Sequence, residues 1–252
     1  MIRALIVVVS MAGMAQADET IVSGLSQNRV PINANFNGSE ILIYGAVKRE
    51  TPVPKGPPLE VIITVEGPAT PVIVRRKDRV AGIWLNNAEV RVDSAPSFYA
   101  VATTGPLQHI LSNTDNLRHK ITIERVIRAV GITSEAAESG AFVLAMLRVR
   151  TNEDRYRVLE GKVELTEDTL FRTDVVLPAN LTEGEYKVRL FLLRAGHVVS
   201  VQERVIGVRK EGLERFIFTM AKEQPLIYGL LSPLLAAVAG WAASAAFRLI
   251  RI

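Results

Sequence analysis

The densest chemistry in the chain is the run Arg75-Arg76-Lys77-Asp78-Arg79, with Trp84 shortly after it. Guanidinium groups suit phosphate, sulfate and carboxylate, so Arg75, Arg76, Lys77 and Arg79 form a candidate anion or partner patch. The plain alternative is a charged turn between two strands, solvated like most charge runs, and it is favoured. Trp84 reads as a core anchor rather than a recognition platform. The three histidines, His109, His119 and His197, stand at none of the H-x-H, H-x-x-x-H or H-E-x-x-H spacings of local metal sites. His109 and His119 read as surface residues. His197 follows Ala195-Gly196 at a predicted hairpin tip. No G-x-S-x-G elbow, P-loop or G-x-G-x-x-G fingerprint occurs, and there is no cysteine. A thiol nucleophile, thiolate zinc, iron–sulfur clusters and a disulfide framework are excluded. Carboxylates such as Glu124, Glu153 and Asp154 are interleaved with Arg, as on a solvated face. The expectation is no cofactor, no metal and no catalytic residue.

A different kind of spacing lies near the C-terminus. Ala236, Gly240 and Ser244 fall on one helical face as a small-x-x-x-small line, which lets spanning helices approach closely; they are a candidate transmembrane packing face. They sit in Leu226–Phe247, an uncharged run of 22 residues. At ~1.5 Å per residue this run reaches ~33 Å, enough to cross a bilayer. Pro225 opens it, Tyr228 and Trp241 lie near its ends, and Arg248 and Arg251 follow as a stop-transfer signal. A transmembrane helix is expected at 225–248 and a cytoplasmic tail at 249–252. Residues 1–17 read as a signal peptide, with Arg3 in the n-region and Ala15-Gln16-Ala17 as the cleavage site. The mature chain would begin at Asp18, its body in the periplasm and its anchor in the bacterial inner membrane. Setting aside Arg3, Arg248 and Arg251 leaves 27 basic against 26 acidic residues in the exported part, so the net charge of +4 supports no nucleic-acid partner.

The elements that must position these residues are mostly strands. Over 18–104, Ser39–Lys48, Leu59–Val65, Pro71–Arg75, Ala88–Val92 and Ser97–Thr103 are β-rich and punctuated by Asn37-Gly38 and Gly67-Pro68, which predicts an N-terminal β-sandwich domain. Residues 105–157 form a helical segment, with Leu107, Ile110 and Leu111, then Phe142, Met146 and Val149, at helical spacing. Asn116–Val130 is read as helix, although Ile121-Thr122-Ile123 would also suit a strand. Over 158–210 a second Ig-like β region follows, with strands at Leu170–Leu177, Glu185–Arg194 and His197–Val208. Within it Leu181, Gly184 and Tyr186 have the spacing of a structural tyrosine corner. Asn180-Leu181-Thr182 matches a glycosylation sequon but reads as turn chemistry. A juxtamembrane amphipathic helix is expected at 211–224, with three placements open: packed on the body, which is the default, lying on the membrane surface, or continuing the spanning helix until Pro225. The fold class is thus mainly β with a helical insertion: Ig-like β-sandwich regions plus one C-terminal transmembrane helix.

Five stretches, taken in order, carry a resemblance: VRRKDRVAGIWLN at 74–86, PSFYAVATTGPL at 96–107, TLFRTDVVLPAN at 169–180, GEYKVRLFLLRAG at 184–196 and PLIYGLLSPLLAAVAGWAASAAFR at 225–248. Between a leader and a C-terminal anchor, they resemble the family of putative transmembrane proteins of alphaproteobacteria. The resemblance spans about Thr20 to Arg248 and implies an inner-membrane protein with a periplasmic body. It also implies an association with sulfite-exporter-like multipass permeases, hence a transport accessory role. It supplies no site residues. The expected function is therefore a non-enzymatic binding or accessory module whose partners are the membrane and a multipass anion exporter. A tethered envelope enzyme and a homo-oligomeric scaffold are the alternatives.

Overall fold

The computed structural model describes residues 19–33, 36–50, 52, 56–128, 136–210 and 213–250. The expected signal peptide and the last two residues lie outside these. Seven strands come first: β1 (Thr20–Leu25), β2 (Arg29–Ile32), β3 (Ser39–Lys48), β4 (Leu59–Glu66), the long pair β5 (Ala69–Val80) and β6 (Ile83–Pro96), and β7 (Tyr99–Thr103). Four helices follow: α1 (Leu107–Ile110), α2 (Asn113–His119), α3 (Ile123–Val126) and α4 (Ala136–Asn152). The chain returns to strands with β8 (Tyr156–Leu159), β9 (Glu164–Thr166), β10 (Leu170–Leu177), β11 (Gly184–Arg194) and β12 (His197–Lys210), and ends in α5 (Leu213–Glu223) and α6 (Pro225–Ile250).

Two sheets face each other across one core. The first runs β1-β3-β10-β9 and the second β2-β12-β11-β4-β7-β8. All neighbours are antiparallel except β2–β12 and β7–β8. Strand β10 alternates exposed and buried residues along its whole length, because only its inner face meets the core. Strand β4 is buried on both faces, which is why it reads LEVIITVE without alternation. Its Val61, Ile63 and Val65 point into the inter-sheet core with Ile41, Ile43, Val175, Leu190 and Leu192. Its Ile62 points the other way, to Tyr99, Phe191, Ile110, Ile121 and Ile123, where α1–α3 cover the sheet.

The sheets do not follow the division into an N-terminal sandwich at 18–104 and a second β region at 158–210. Strand β3 pairs with β10 and β4 with β11, so each region supplies strands to both sheets. Neither could close its core alone, since Ile63 needs Leu190 beside it and Ile43 needs Thr173.

The helix expected over 116–130 is broken. Lys120 takes a left-handed conformation at φ 50°, ending α2, and the Asn116 side chain bonds both the backbone N–H and the hydroxyl of Thr122. After the single turn of α3, the backbone of Arg128 exchanges hydrogen bonds with Ser94 on β6, a bridge that helix geometry would forbid. In α4, Phe142 and Met146 are buried as the spacing implied, but Val149 is exposed.

Candidate functional site

Strands β5 and β6 form a sheet of their own, closed at the tip by Ala81 and Gly82 at φ 50° and 87°. Two positive φ values in a two-residue loop make a type I′ turn, whose twist matches that of the strands, and Gly82 meets its requirement without steric cost. Strand periodicity then sorts the basic run. Residues Val72, Val74, Arg76, Asp78 and Val80 share one face, and Ile73, Arg75, Lys77 and Arg79 the other. Near the base, the first face is covered by α4: Val72, Val74 and Val92 pack with Val143 and Met146, and the Arg76 guanidinium lies 5.7 Å from the Phe142 ring centroid. Further out, Arg76 pairs with Asp78 at 3.4 Å. Among the described residues nothing covers the second face. Every residue on it is exposed, and it carries Arg75, Lys77 and Arg79 on β5 with Trp84, Asn86, Glu89 and Arg91 on β6. Arg75 meets Glu89 across the strands at 3.0 Å.

Two expectations are corrected here. The basic run is not a turn but the outer half of a strand, whose turn comes only after Val80. Trp84 is not a core anchor. It opposes Arg79 on the uncovered face and is 65% exposed, beside Val80, Ile83 and Leu85, which are exposed too. Local sequence does not separate these cases, because the difference is made by where α4 stops covering the arm.

At the C-terminal end, α5 and α6 are joined in one hydrogen-bonded path: Gln224 N–H donates to the Met220 carbonyl and Tyr228 N–H to the Gln224 carbonyl. This replaces the default of a stalk packed on the body; on α5, Ile217 and Phe218 are exposed. Helix α6 contains a candidate span, Pro225–Ala245, of mean hydropathy 1.7, none of it buried inside the structure. Ala236, Gly240 and Ser244 lie along it, all exposed, and a Cβ at Gly240 would meet nothing within 4 Å. Residues 20–249 match the family described as "Putative transmembrane protein" (Alph_Pro_TM). The chain belongs to that family. Among curated proteins none matches it. Among solved structures, that of Spo0M, the sporulation control protein of Bacillus subtilis, is similar over 82% of this chain and 55% of that one, at 10% identity and a TM-score of 0.29. The chain thus spans about half the length of that protein, and a likeness so distant carries no argument.

Another polar cluster of this transmembrane-family chain lies where α2 meets the β11–β12 turn. Ser112, Asp115 and His197 meet, but both the Ser112 hydroxyl (3.0 Å) and His197 Nδ1 (2.9 Å) converge on Asp115 Oδ2. A serine nucleophile needs its hydroxyl on the imidazole instead. What the cluster does is cap α2, where Asp115 N–H donates to Ser112 Oγ, and clamp the β11–β12 turn, where Ser112 N–H donates to the Gly196 carbonyl. Burial pushes the Asp115 carboxyl up, but hydrogen bonds from His197, Ser112 and the Val198 N–H outweigh it and the value falls. His109 is exposed. His119 is not the plain surface residue expected: it is half-buried, edge-on to Phe191 at 5.7 Å, and burial lowers its pKa. Among the described residues, no three His, Asp or Glu side chains gather to hold a metal. A cleft of about 460 Å³ opens beside α2, lined by Leu107, Leu111, Asn116 and Thr122, and another of about 590 Å³ lies between Ser23–Asn28 and Arg204.

The tyrosine corner is present as geometry. Tyr186 buries its ring in the core and donates to the Thr182 carbonyl at 2.9 Å, and burial raises its pKa. Leu181 packs on the same core, and Gly184 holds φ +149° with Pro68 pressed where a Cβ would be. One polar cluster had no local signal. Glu19, ahead of β1, is buried between Arg49, just past β3, and Arg194, at the end of β11. Its members are 30 and 175 positions apart, so only the sheet pairing brings them together.

Proposed function

We propose that this is a single-pass accessory protein of the bacterial inner membrane, non-catalytic, with its sandwich in the periplasm and its C-terminus in the cytoplasm. Its task is to hold a binding arm beside a multipass partner, of the anion-exporting kind. The observation that carries this reading is that α6 presents its apolar side chains, Leu226, Leu230 and Trp241 among them, with nothing of the body over them. An uncovered apolar helix of this length is stable only in lipid or against another protein. The charge order supports the orientation: a leader with Arg3 ahead of the body, and Arg248 and Arg251 after the span. Ala236, Gly240 and Ser244 would form the face on which the partner helix packs. The second support is the arm. A rigid two-sheet body projecting a basic, uncovered ribbon suits an anionic ligand or partner loop better than a reaction, which needs convergent groups.

The test is purification of the full-length protein from its own membranes in mild detergent, with mass spectrometry of what accompanies it. A multipass permease should co-purify, and should be lost when Gly240 is replaced by Leu. Recovery of the bare chain alone refutes the accessory role.

A further inference from the structure

The outer half of the β5–β6 arm combines two chemistries. From Ile73 to Arg91 there are five cations and two carboxylates. Arg76 and Asp78 satisfy one another on the α4 side, which leaves Arg75, Lys77, Arg79 and Arg91 with only Glu89 on the uncovered face. Lys77, Arg79 and Arg91 have no carboxylate partner among the described residues. At its outer end the hairpin carries four exposed large apolar side chains, Trp84 on the cationic face and Val80, Ile83 and Leu85 on the opposite face, so the tip is apolar on both sides.

An acidic protein loop would account for the cations but would leave that apolar tip in water. An anionic bilayer accounts for both. Indole and branched aliphatic groups partition to the boundary between headgroups and acyl chains, while Arg and Lys pair with phosphate just above it. Reach is consistent with this, because Glu66 opposes Lys187 and Val208 opposes Gly184, so the arm and α5 leave the same end of the second sheet. Strand β12 ends at Lys210 and α5 begins at Leu213, so the spacer between the sandwich and α6 is essentially the 11 residues of α5. At ~1.5 Å per residue that spacer is ~17 Å long. From the Val74–Val90 pair, the outermost valine pair of the α4 side, to the turn is six residues of β5, or ~20 Å at ~3.4 Å each.

We propose that the β5–β6 arm docks on the anionic lipid surface of the membrane that holds α6, with Arg75, Lys77 and Arg79 on headgroup phosphates and the tip around Trp84 in the acyl boundary. The proposal names the ligand of the arm in the function given above and rests on that reading for the membrane anchor, but it needs no protein partner.

The chain has two tryptophans, so Trp241→Phe leaves Trp84 as the sole indole reporter. The full-length W241F protein is placed in lipid nanodiscs of phosphatidylcholine alone, or of phosphatidylcholine with phosphatidylglycerol. In the anionic discs Trp84 emission should shift to the blue, acrylamide quenching should fall several-fold, and brominated acyl chains should quench it. The shift should reverse at ~0.5 M NaCl, where the Debye length is about 4 Å. Each of R75Q, K77Q and R79Q should weaken docking about five-fold, and the triple variant should return the spectrum seen in neutral discs. I83S/L85S, which leaves every charge in place, should lose quenching by the brominated chains. Far-UV circular dichroism checks that each variant retains its strands. Trp84 that stays in water in anionic discs, or that shifts only when a membrane protein extract is added, overturns the proposal. Because the discs contain no other protein, a failed co-purification leaves this result standing, and a failed shift leaves the partner reading standing.

Discussion

Replacing Glu19 by Gln should be among the most damaging single substitutions outside the hydrophobic core. The Glu19 side chain is 3% exposed and accepts from Arg49 Nε at 2.7 Å, from Arg194 Nη2 at 2.8 Å and from Arg194 Nε at 2.9 Å. Arg49 and Arg194 are themselves only 8% and 14% exposed, and they continue to the Asp168 and Pro57 carbonyls. The carboxylate therefore ties the first sheet, through β1 and β3, to β11 of the second. Glutamine keeps the shape and one acceptor but leaves two guanidinium groups buried without a countercharge. Breaking a buried ion pair from one side costs about 3–5 kcal/mol, and the retained acceptor puts E19Q near the lower end. For a folded unit of this size each kcal/mol moves Tm by about 2–4 °C, so a fall of about 6–12 °C is expected. The assay is thermal unfolding of the full chain in detergent, followed by the strand signal in circular dichroism. The triple change E19L/R49M/R194M provides the contrast: with all three charges gone together, most of the loss should return. The acid limb gives a second readout. Hydrogen bonds from Arg194, opposed by burial and reinforced by Arg49, hold the Glu19 pKa below its ordinary 4.5. Its contribution is thus complete above pH 4.5 and disappears as pH falls through the depressed value, a limb that E19Q should lack. An E19Q protein melting within about 2 °C of the parent would refute the reasoning, because it would mean the two arginines find water or new partners at little cost.

Three further outcomes follow from the sandwich. Tyr186→Phe removes only the 2.9 Å bond to the Thr182 carbonyl and should cost about 1 kcal/mol, seen as a lower urea midpoint at unchanged slope; a neutral result would show that the corner does not need its hydroxyl. Gly45→Ala would put a Cβ 2.5 Å from the Phe171 ring and 2.7 Å from the Val22 carbonyl oxygen, so overpacking between β1, β3 and β10 should cost about 1–3 kcal/mol, and an unchanged melting curve would contradict that closeness. Tyr99 and Tyr156 donate to the Ile121 and Pro96 carbonyls at 2.8 Å, and burial pushes both phenols up to about 12. Ionisation favours the unfolded chain, so the stability these two phenols contribute is complete below pH 10.0, declines above it and is gone by about pH 12; two phenols titrating near 10 in the folded protein, followed in the near ultraviolet, would contradict this.

How much of this was legible in the sequence depends on how local each cause is. Strand β3 has the bounds its β-branched pattern implied, and the tyrosine corner shows in a three-residue signature, because turn chemistry and side-chain period act over a few residues. The unity of the two β regions was not legible. Nothing in Leu59–Glu66 or Gly184–Arg194 says that they pair, since the doubly buried stretches Val61–Val65 and Leu190–Leu193 look alike whichever neighbour they take. Asn116–Val130 failed for a related reason: Ile123, Val126 and Ile127 have helical spacing, but the backbone of Arg128 is claimed by Ser94, a partner 34 positions away. Glu19 lay beyond local reading altogether, since its value comes from two arginines that arrive by different strands.

The arm shows the same division within a single segment. Alternation alone separates Arg75, Lys77 and Arg79 from Arg76 and Asp78, and that alternation is written in the order of the residues. Which face would be covered is decided by α4, some sixty residues further on, and α4 covers only the base. That partial cover gives the charge run its consequence. The one acid within the run, Asp78, is drawn to the Arg76 side, so the opposite face keeps its cations concentrated, and the apolar residues past the end of α4 are left to find another surface. A hairpin that turned at the Arg76–Ala88 pair would end under the helix and expose no such tip. Among the described residues the arm's outer length joins none of the core clusters, so the body's stability does not depend on it.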